Sequence, residues 1–219
     1  MNNKFFCPSM MCADFTKLTQ EVESLDAAGI DIFHMDVMDG SFVPNFALGV
    51  EDFKAIRALT DKPLDAHLMI QNPGNYIDLF AKDLGADIIY VHPEADPHIV
   101  STLTKIKSHG KKCGIAINPE TSIESIKELF NIIDNILVMT VNPGFSGQPY
   151  LDFVTNKIKK IVNYQETYHF KIVVDGAISV DKITELGKIG VNGFVLGTSA
   201  LFNKDESYQV IMKNLKNLN

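Results

Sequence analysis

Short apolar runs alternate with longer amphipathic stretches along the whole of this chain, which restricts it to strand–helix units built around a parallel sheet. Eight such units are present. The predicted strands are Phe5–Met10, Ile32–Val37, Leu64–Met69, Ile88–His92, Cys113–Ile117, Asn135–Met139, Lys171–Asp175 and Gly193–Leu196. Helices are predicted near Asp14–Ala28, Val50–Leu59, Asn75–Leu84, Pro97–Ser108, Ser122–Ile132, Leu151–Tyr168, Val180–Gly187 and Asp205–Leu218. Thr121 with Glu124 has the spacing of a capping box, Ser179 can cap the seventh helix, and Gly29, Gly85, Gly110 and Gly190 punctuate returns from helix to strand. Eight repeats in so short a chain suit a (β/α)8 TIM barrel, an α/β fold, better than an open doubly wound sheet. No Gly-x-Gly-x-x-Gly fingerprint follows the first strand, although an open sheet stays as the alternative.

No linker-like stretch or change of composition divides the 219 residues, so residues 1–219 are expected to form one barrel domain. The formal net charge of -7 argues against a polyanion as partner, and no nucleic acid is expected. The start, Met1-Asn2-Asn3-Lys4-Phe5, carries no apolar signal-like region, and no run of about 18 apolar residues occurs. Neither secretion nor membrane spanning is expected, and the expected location is cytoplasmic. Cys7, Cys12 and Cys113 lack Cys-x-x-Cys spacing and read as reduced thiols, so neither disulfides nor a zinc ribbon is indicated.

In a barrel, functional groups gather at the C-terminal ends of strands. Ser9, His34 with Asp36, His67, His92, Met139 and Asp175 all fall there, and no comparable polar set marks the strand starts. His34 and Asp36 are two apart on a strand and share a face. With His67 and Asp175 they make an N2O2 set suited to zinc, iron, manganese or cobalt, and ligand type does not choose among these. Each residue alone has a plainer reading: a histidine satisfied within the core, or an Asp-Gly turn. Asp39 lies beyond the strand end and is assigned to the loop, and His92 stays outside the catalytic set. Opposite, Asn142–Pro149, Gly176-Ala177 and Gly197-Thr198-Ser199 occupy the loops where barrels bind phosphate through backbone amides, which spares an acidic protein a basic cluster.

Several long motifs carry a resemblance. Pro8-Ser9 with Ala13-Asp14-Phe15, the stretch His34–Asn45, Leu64–Met69, Asn72-Pro73, Met139–Gln148 and Val174-Asp175-Gly176 are similar to those of the ribulose-phosphate 3-epimerase family, in order from about residue 5 to residue 203. The resemblance implies a ribulose-phosphate-binding barrel and a likeness in activity to ketose-phosphate 3-epimerases. His34, Asp36, His67 and Asp175 would bind one divalent metal ion, zinc first, with iron, manganese or cobalt as alternatives. Asp36 and Asp175 would also be the catalytic acid/base pair. Ser9, His67, Met38, Met69, Met139 and Gly144 would meet the substrate, and Gly147, Gly176, Ala177, Gly197 and Thr198 its phosphate. A homo-oligomer is also implied. The chemistry agrees: inverting a carbon beside a ketone removes a proton from one face and returns one to the other, so two proton carriers must flank the substrate. A metal would serve as a Lewis acid for the charge of the cis-enediolate, not as a redox centre.

Details lean toward one branch. Gly176-Ala177 stands where these epimerases usually have Gly-Gly, and Gly197-Thr198-Ser199 where they usually have Gly-Ser. With Met11-Cys12, His92-Pro93-Glu94, Asn118-Pro119-Glu120-Thr121 and Gly147-Gln148-Pro149, these look more like the D-allulose-6-phosphate 3-epimerase branch, which makes D-allulose 6-phosphate and D-fructose 6-phosphate the expected pair. The alternative is ribulose-phosphate 3-epimerase, acting on D-ribulose 5-phosphate and D-xylulose 5-phosphate. Metal-free decarboxylases and synthases on similar barrels fit less well, because they commonly use a lysine at the strand mouths and no predicted strand ends in one. A non-catalytic sugar-phosphate sensor would not need paired proton carriers.

Overall fold

The computed structural model describes residues 4–218; Met1–Asn3 of the stretch weighed above, and Asn219, lie outside the described residues. Eight parallel strands form one sheet: β1 (Phe5–Pro8), β2 (Phe33–Met38), β3 (Leu64–Met69), β4 (Ile88–Val91), β5 (Lys112–Ile117), β6 (Asn135–Met139), β7 (Lys171–Asp175) and β8 (Gly193–Leu196). The order β1-β8-β7-β6-β5-β4-β3-β2 curls into a nearly closed barrel. At the β1/β2 seam the backbones meet in a single parallel bridge, Ser9 to His34. Pro8 has no N–H to offer there, and the backbone N–H and C=O of Phe6 are already engaged by Asp31.

The helices are α1 (Leu18–Ala27), α2 (Val50–Arg57), α3 (Ile99–Ser108), α4 (Phe153–Val162), α5 (Gln165–Tyr168), α6 (Val180–Lys188) and α7 (Tyr208–Lys216). Two predicted helices take other forms. In place of Asn75–Leu84 the chain makes a 3-10 turn, Pro73–Tyr76, and a wide π-turn, Leu79–Asp83. In place of Ser122–Ile132 only the 3-10 segment Lys127–Asn131 forms. The Thr121/Glu124 capping box does not assemble, because the Thr121 hydroxyl donates to the Glu94 carboxylate instead, and Ser122 and Ser125 bond each other's backbone. The first predicted helix begins as a separate 3-10 turn, Phe15–Lys17, and the sixth is divided between α4 and α5. The predicted β1 stops at Pro8, where Met10–Cys12 turns away, and β4 stops at Val91. Ser179 does cap α6, accepting from the Lys182 N–H at 3.3 Å.

Nine side chains, Cys7, Ile88, Tyr90, Ala116, Leu137, Met139, Val141, Val173 and Val195, form a buried cluster, while a larger apolar cluster fills the space between sheet and helices. Tyr90 is wholly buried and needs the missing side chain of Gly114, where an added Cβ would come within 2.4 Å of its ring. The strand starts are not free of polar residues, contrary to expectation. Asp31, Asp87, Asp134 and Asn192 each precede an even-numbered strand, and their side chains accept from the N–H of Phe6, Leu64, Cys113 and Ile172 at 2.8, 3.0, 2.9 and 2.9 Å. Each donates its own N–H to the carbonyl of the same residue, at 3.0, 2.8, 2.8 and 2.9 Å. This ring fastens strands in pairs at the end remote from the strand termini where functional groups gather, as a stability face should.

Candidate active site and metal centre

Register sets the site. In the β2–β3 ladder Asp36 pairs with His67 and Met38 with Met69, and in β6–β7 Met139 pairs with Asp175, so side chains predicted from separate motifs stand at one height. His34, Asp36, His67 and Asp175 each offer one ligand atom, all within 4.8 Å of one another. His34 Nε2 is buried 3.2 Å from Asp36 Oδ1 and 3.8 Å from Asp175 Oδ2 without making a hydrogen bond. An unpartnered buried nitrogen facing two carboxylate oxygens fits a divalent cation as shared partner. His67 Nδ1 faces the same oxygens, at 3.3 Å from Asp36 and 3.7 Å from Asp175.

The electrostatics divide the two carboxylates. Burial favours the neutral acid at Asp36, but the imidazoles of His34 and His67 override it and hold the carboxyl well below its usual range. At Asp175 burial and the Asp36 charge act together, and the pKa is pushed up to about 7. Burial alone would depress His34, yet the neighbouring charges of Asp65 and Asp36 raise it well above its ordinary value. Burial keeps His67 low. Ser9 donates its hydroxyl to Asp36 Oδ2 at 2.6 Å.

A cleft opens over this cluster. Ser9, Asp36, Asp175, Met38, Met69 and Met139 line it, together with Gly144, Gly147, Gly176, Ala177, Gly197 and Thr198. His34 and His67 are fully buried beneath, so His67, expected also at the substrate, faces the cluster rather than open space. Among the described residues that line the cleft there is no lysine or arginine, which leaves an anion to backbone amides and hydroxyls. At Gly176 φ is +115°, and an added Cβ would meet Val141 Cγ2 at 2.5 Å. Only glycine fits there. Ala177 holds φ +52°, a conformation that L side chains rarely adopt. Asn45 Nδ2 donates to the Gly144 carbonyl at 2.6 Å, tying the loop after β2 to the loop after β6.

Asp39 stays in the loop: its carboxylate accepts from the N–H groups of Ser41, Phe42 and Gln71. The sequence reading gave no role to Asp65 or Glu94 and left His92 outside the catalytic set. Asp65 Oδ1 lies 2.6 Å from His34 Nδ1, and His92 Nε2 lies 2.9 Å from His67 Nε2, with Glu94 behind His92. A signal existed for the first, since Asp65-Ala66-His67 repeats the alternation of His34-Met35-Asp36 on the neighbouring strand.

Fold and site together define a (β/α)8-barrel enzyme with paired carboxylates and a cluster able to hold a divalent metal. The profile of the Ribulose-phosphate 3 epimerase family matches residues 6–202, and the chain belongs to that family. It is an isomerase of the epimerase class. The Ribulose-phosphate 3-epimerase of Bacillus subtilis (strain 168) is 41% identical over 207 residues, covering 93% of this chain and 94% of the relative. That of Synechocystis sp. (strain ATCC 27184 / PCC 6803 / Kazusa) is 42% identical over 205 residues, covering 92% and 88%. Among solved structures, KGPDC from Streptococcus mutans superposes with a TM-score of 0.74 at 14% identity, covering 100% of this chain and 99% of that one, a likeness of fold alone. The relatives named here carry the ribulose-phosphate name, so the expected leaning to the allulose-6-phosphate branch finds no support in them. Among the described residues no helix is long and apolar enough to cross a membrane.

Proposed function

We propose that this protein interconverts D-ribulose 5-phosphate and D-xylulose 5-phosphate by inverting C3, with Asp36 and Asp175 as the two proton carriers. The observation that carries the proposal is the meeting of these carboxylates, one from β2 and one from β7, in one cleft and one cluster of ligand atoms, with Ser9 holding Asp36. Two carboxyls on separate strands can take a proton on one side of a substrate and give one on the other, as two-base epimerisation requires. Asp36 removes the C3 proton from one face, Asp175 delivers a proton to the other, and the roles exchange with reaction direction.

His34, Asp36, His67 and Asp175 would hold the divalent metal, whose charge, when bound, stabilises the enediolate oxygens as a Lewis acid. Met38, Met69 and Met139 offer polarisable apolar walls beside a planar intermediate and keep water from it. Ser9 orients Asp36 through its hydroxyl and borders the sugar. Gly144 borders the substrate, and Gly147, Gly176, Ala177, Gly197 and Thr198 border its phosphate, where small residues allow close backbone approach. The Gly197 carbonyl accepts from the N–H of Leu201 and Phe202 in a tight turn, which frees the amides at the turn's start for an anion.

The five-carbon pair is preferred on the names of the relatives. Comparing kcat/KM for D-ribulose 5-phosphate and D-allulose 6-phosphate, while following epimer formation, tests the choice. A larger value for the six-carbon sugar reverses it, and tight binding without epimer formation points to a sensor.

A further inference from the structure

His92-Pro93-Glu94 and Asn118-Pro119-Glu120-Thr121 stand out in the sequence, and the reaction just described uses neither. In the fold they meet behind His67. We infer that His92 and Glu94 are positioning residues that hold the His67 ring with its proton on Nε2 and its Nδ1 lone pair turned toward Asp36 and Asp175. The inference rests on the reading of the His/Asp cluster as a divalent-metal site.

His67 and His92 are both fully buried, and their rings meet end to end, with centroids 5.1 Å apart and 23° between planes. Their Nε2 atoms are 2.9 Å apart, so one must donate and the other accept. His67 Nδ1 faces the cluster, and a nitrogen that ligates a cation carries no proton. The ring proton of His67 therefore belongs on Nε2, which makes His92 Nε2 the acceptor and leaves the proton of His92 on Nδ1. That nitrogen faces Glu94 Oε2 at 3.5 Å, an ion-pair distance rather than a closed hydrogen bond. A carboxylate at the end of such a chain raises the basicity of the ligating imidazole.

Glu94 is itself fixed. Its Oε1 accepts from the Asn118 N–H at 3.0 Å and from the Thr121 hydroxyl, which leaves Oε2 for His92. The turn that supplies both donors is clamped by Lys157, whose Nζ donates to the carbonyls of Asn118, Pro119 and Thr121 at 2.8, 2.8 and 3.0 Å. Phe42 closes on the His92 ring at 4.8 Å between centroids. One chain of contacts thus runs from α4 through the ends of β5, β4 and β3 to the cluster.

The test is zinc(II) and cobalt(II) binding to the full protein, by chelator competition and by the visible spectrum of the cobalt form, with the metal-free Tm of each variant measured beside it. Wild type should bind one ion. His92→Leu should bind about 10–100-fold more weakly with an altered cobalt spectrum, and Glu94→Gln should fall between. His92→Gln, whose amide oxygen can accept the Nε2 proton, should stay within about threefold of wild type. An unchanged affinity and spectrum in His92→Leu overturns the inference, as does an equal loss in His92→Gln that follows Tm, the mark of packing alone. A wild type that binds no ion instead removes the metal-site reading, and the inference with it. If His92→Leu fails to fold, Glu94→Gln decides, with wild-type affinity and spectrum counting against the relay.

Discussion

His34 Nδ1 lies 2.6 Å from Asp65 Oδ1, and the two residues are register partners in the β2–β3 ladder, so the carboxylate stands directly behind an imidazole of the cluster. The contact turns His34 Nε2 toward Asp36 and Asp175. Asp65→Asn removes the charge behind the ring while keeping its shape, and should weaken metal binding by about 10–100-fold. Chelator competition measures this; wild-type affinity in the variant would show that Asp65 only packs.

Metal binding should depend on pH with a definite sign. Burial and the Asp36 charge push Asp175 up to about 7, and Asp65 with Asp36 keeps His34 protonated against the pull of burial. Those protons must leave before either group can ligate, so apparent affinity should fall as pH drops from about 8 to about 6, and each ion bound near neutrality should release protons. Titration calorimetry in buffers of different ionisation enthalpy counts them. A flat profile without release contradicts the assignment.

Ala177 carries φ +52° at the edge of the cleft. Ala177→Gly relieves left-handed strain of about 1–2 kcal/mol and gives part of it back as freedom of the unfolded chain. A net gain of about 0.5–1 kcal/mol is expected, about 1–4 °C in Tm for a chain of this size, readable by calorimetry. A lower Tm would mean that the methyl packs better than the backbone suffers.

The ring at the strand starts should matter for stability alone. Asp134→Ala leaves the Cys113 N–H without the carboxylate that accepts it at 2.9 Å and should cost about 1–3 kcal/mol. Denaturant unfolding would show the loss, while kcat at a temperature where the variant is folded should not move.

Much of this is legible in the sequence. The apolar runs at β3, β6, β7 and β8 end where the strands end, because each is bounded by turn residues and by helices of a different period. Two-residue spacing placed His34 and Asp36 on one face, and strand-end position brought His67 and Asp175 toward them. Tertiary partners hid the rest. Thr121 reads as a helix cap only until Glu94 claims it, and the Ser122–Ile132 periodicity then lacks its start. His92, one residue past β4, carries no sign that its partner is His67 from another strand. The Asp31, Asp87, Asp134 and Asn192 ring was in the sequence as a recurring Asp or Asn before each even strand, but those residues read as ordinary turn formers until their N–H partners were seen.

The central claim, that Asp36 and Asp175 carry the protons, is tested most directly by NMR of the metal-loaded enzyme acting on D-ribulose 5-phosphate in D2O. Wild type should yield D-xylulose 5-phosphate with deuterium at C3, and Asp36→Asn and Asp175→Asn should each slow epimer formation by about 10²–10⁴-fold. An epimer that keeps its original C3 hydrogen, or either variant working at the wild-type rate, would contradict it.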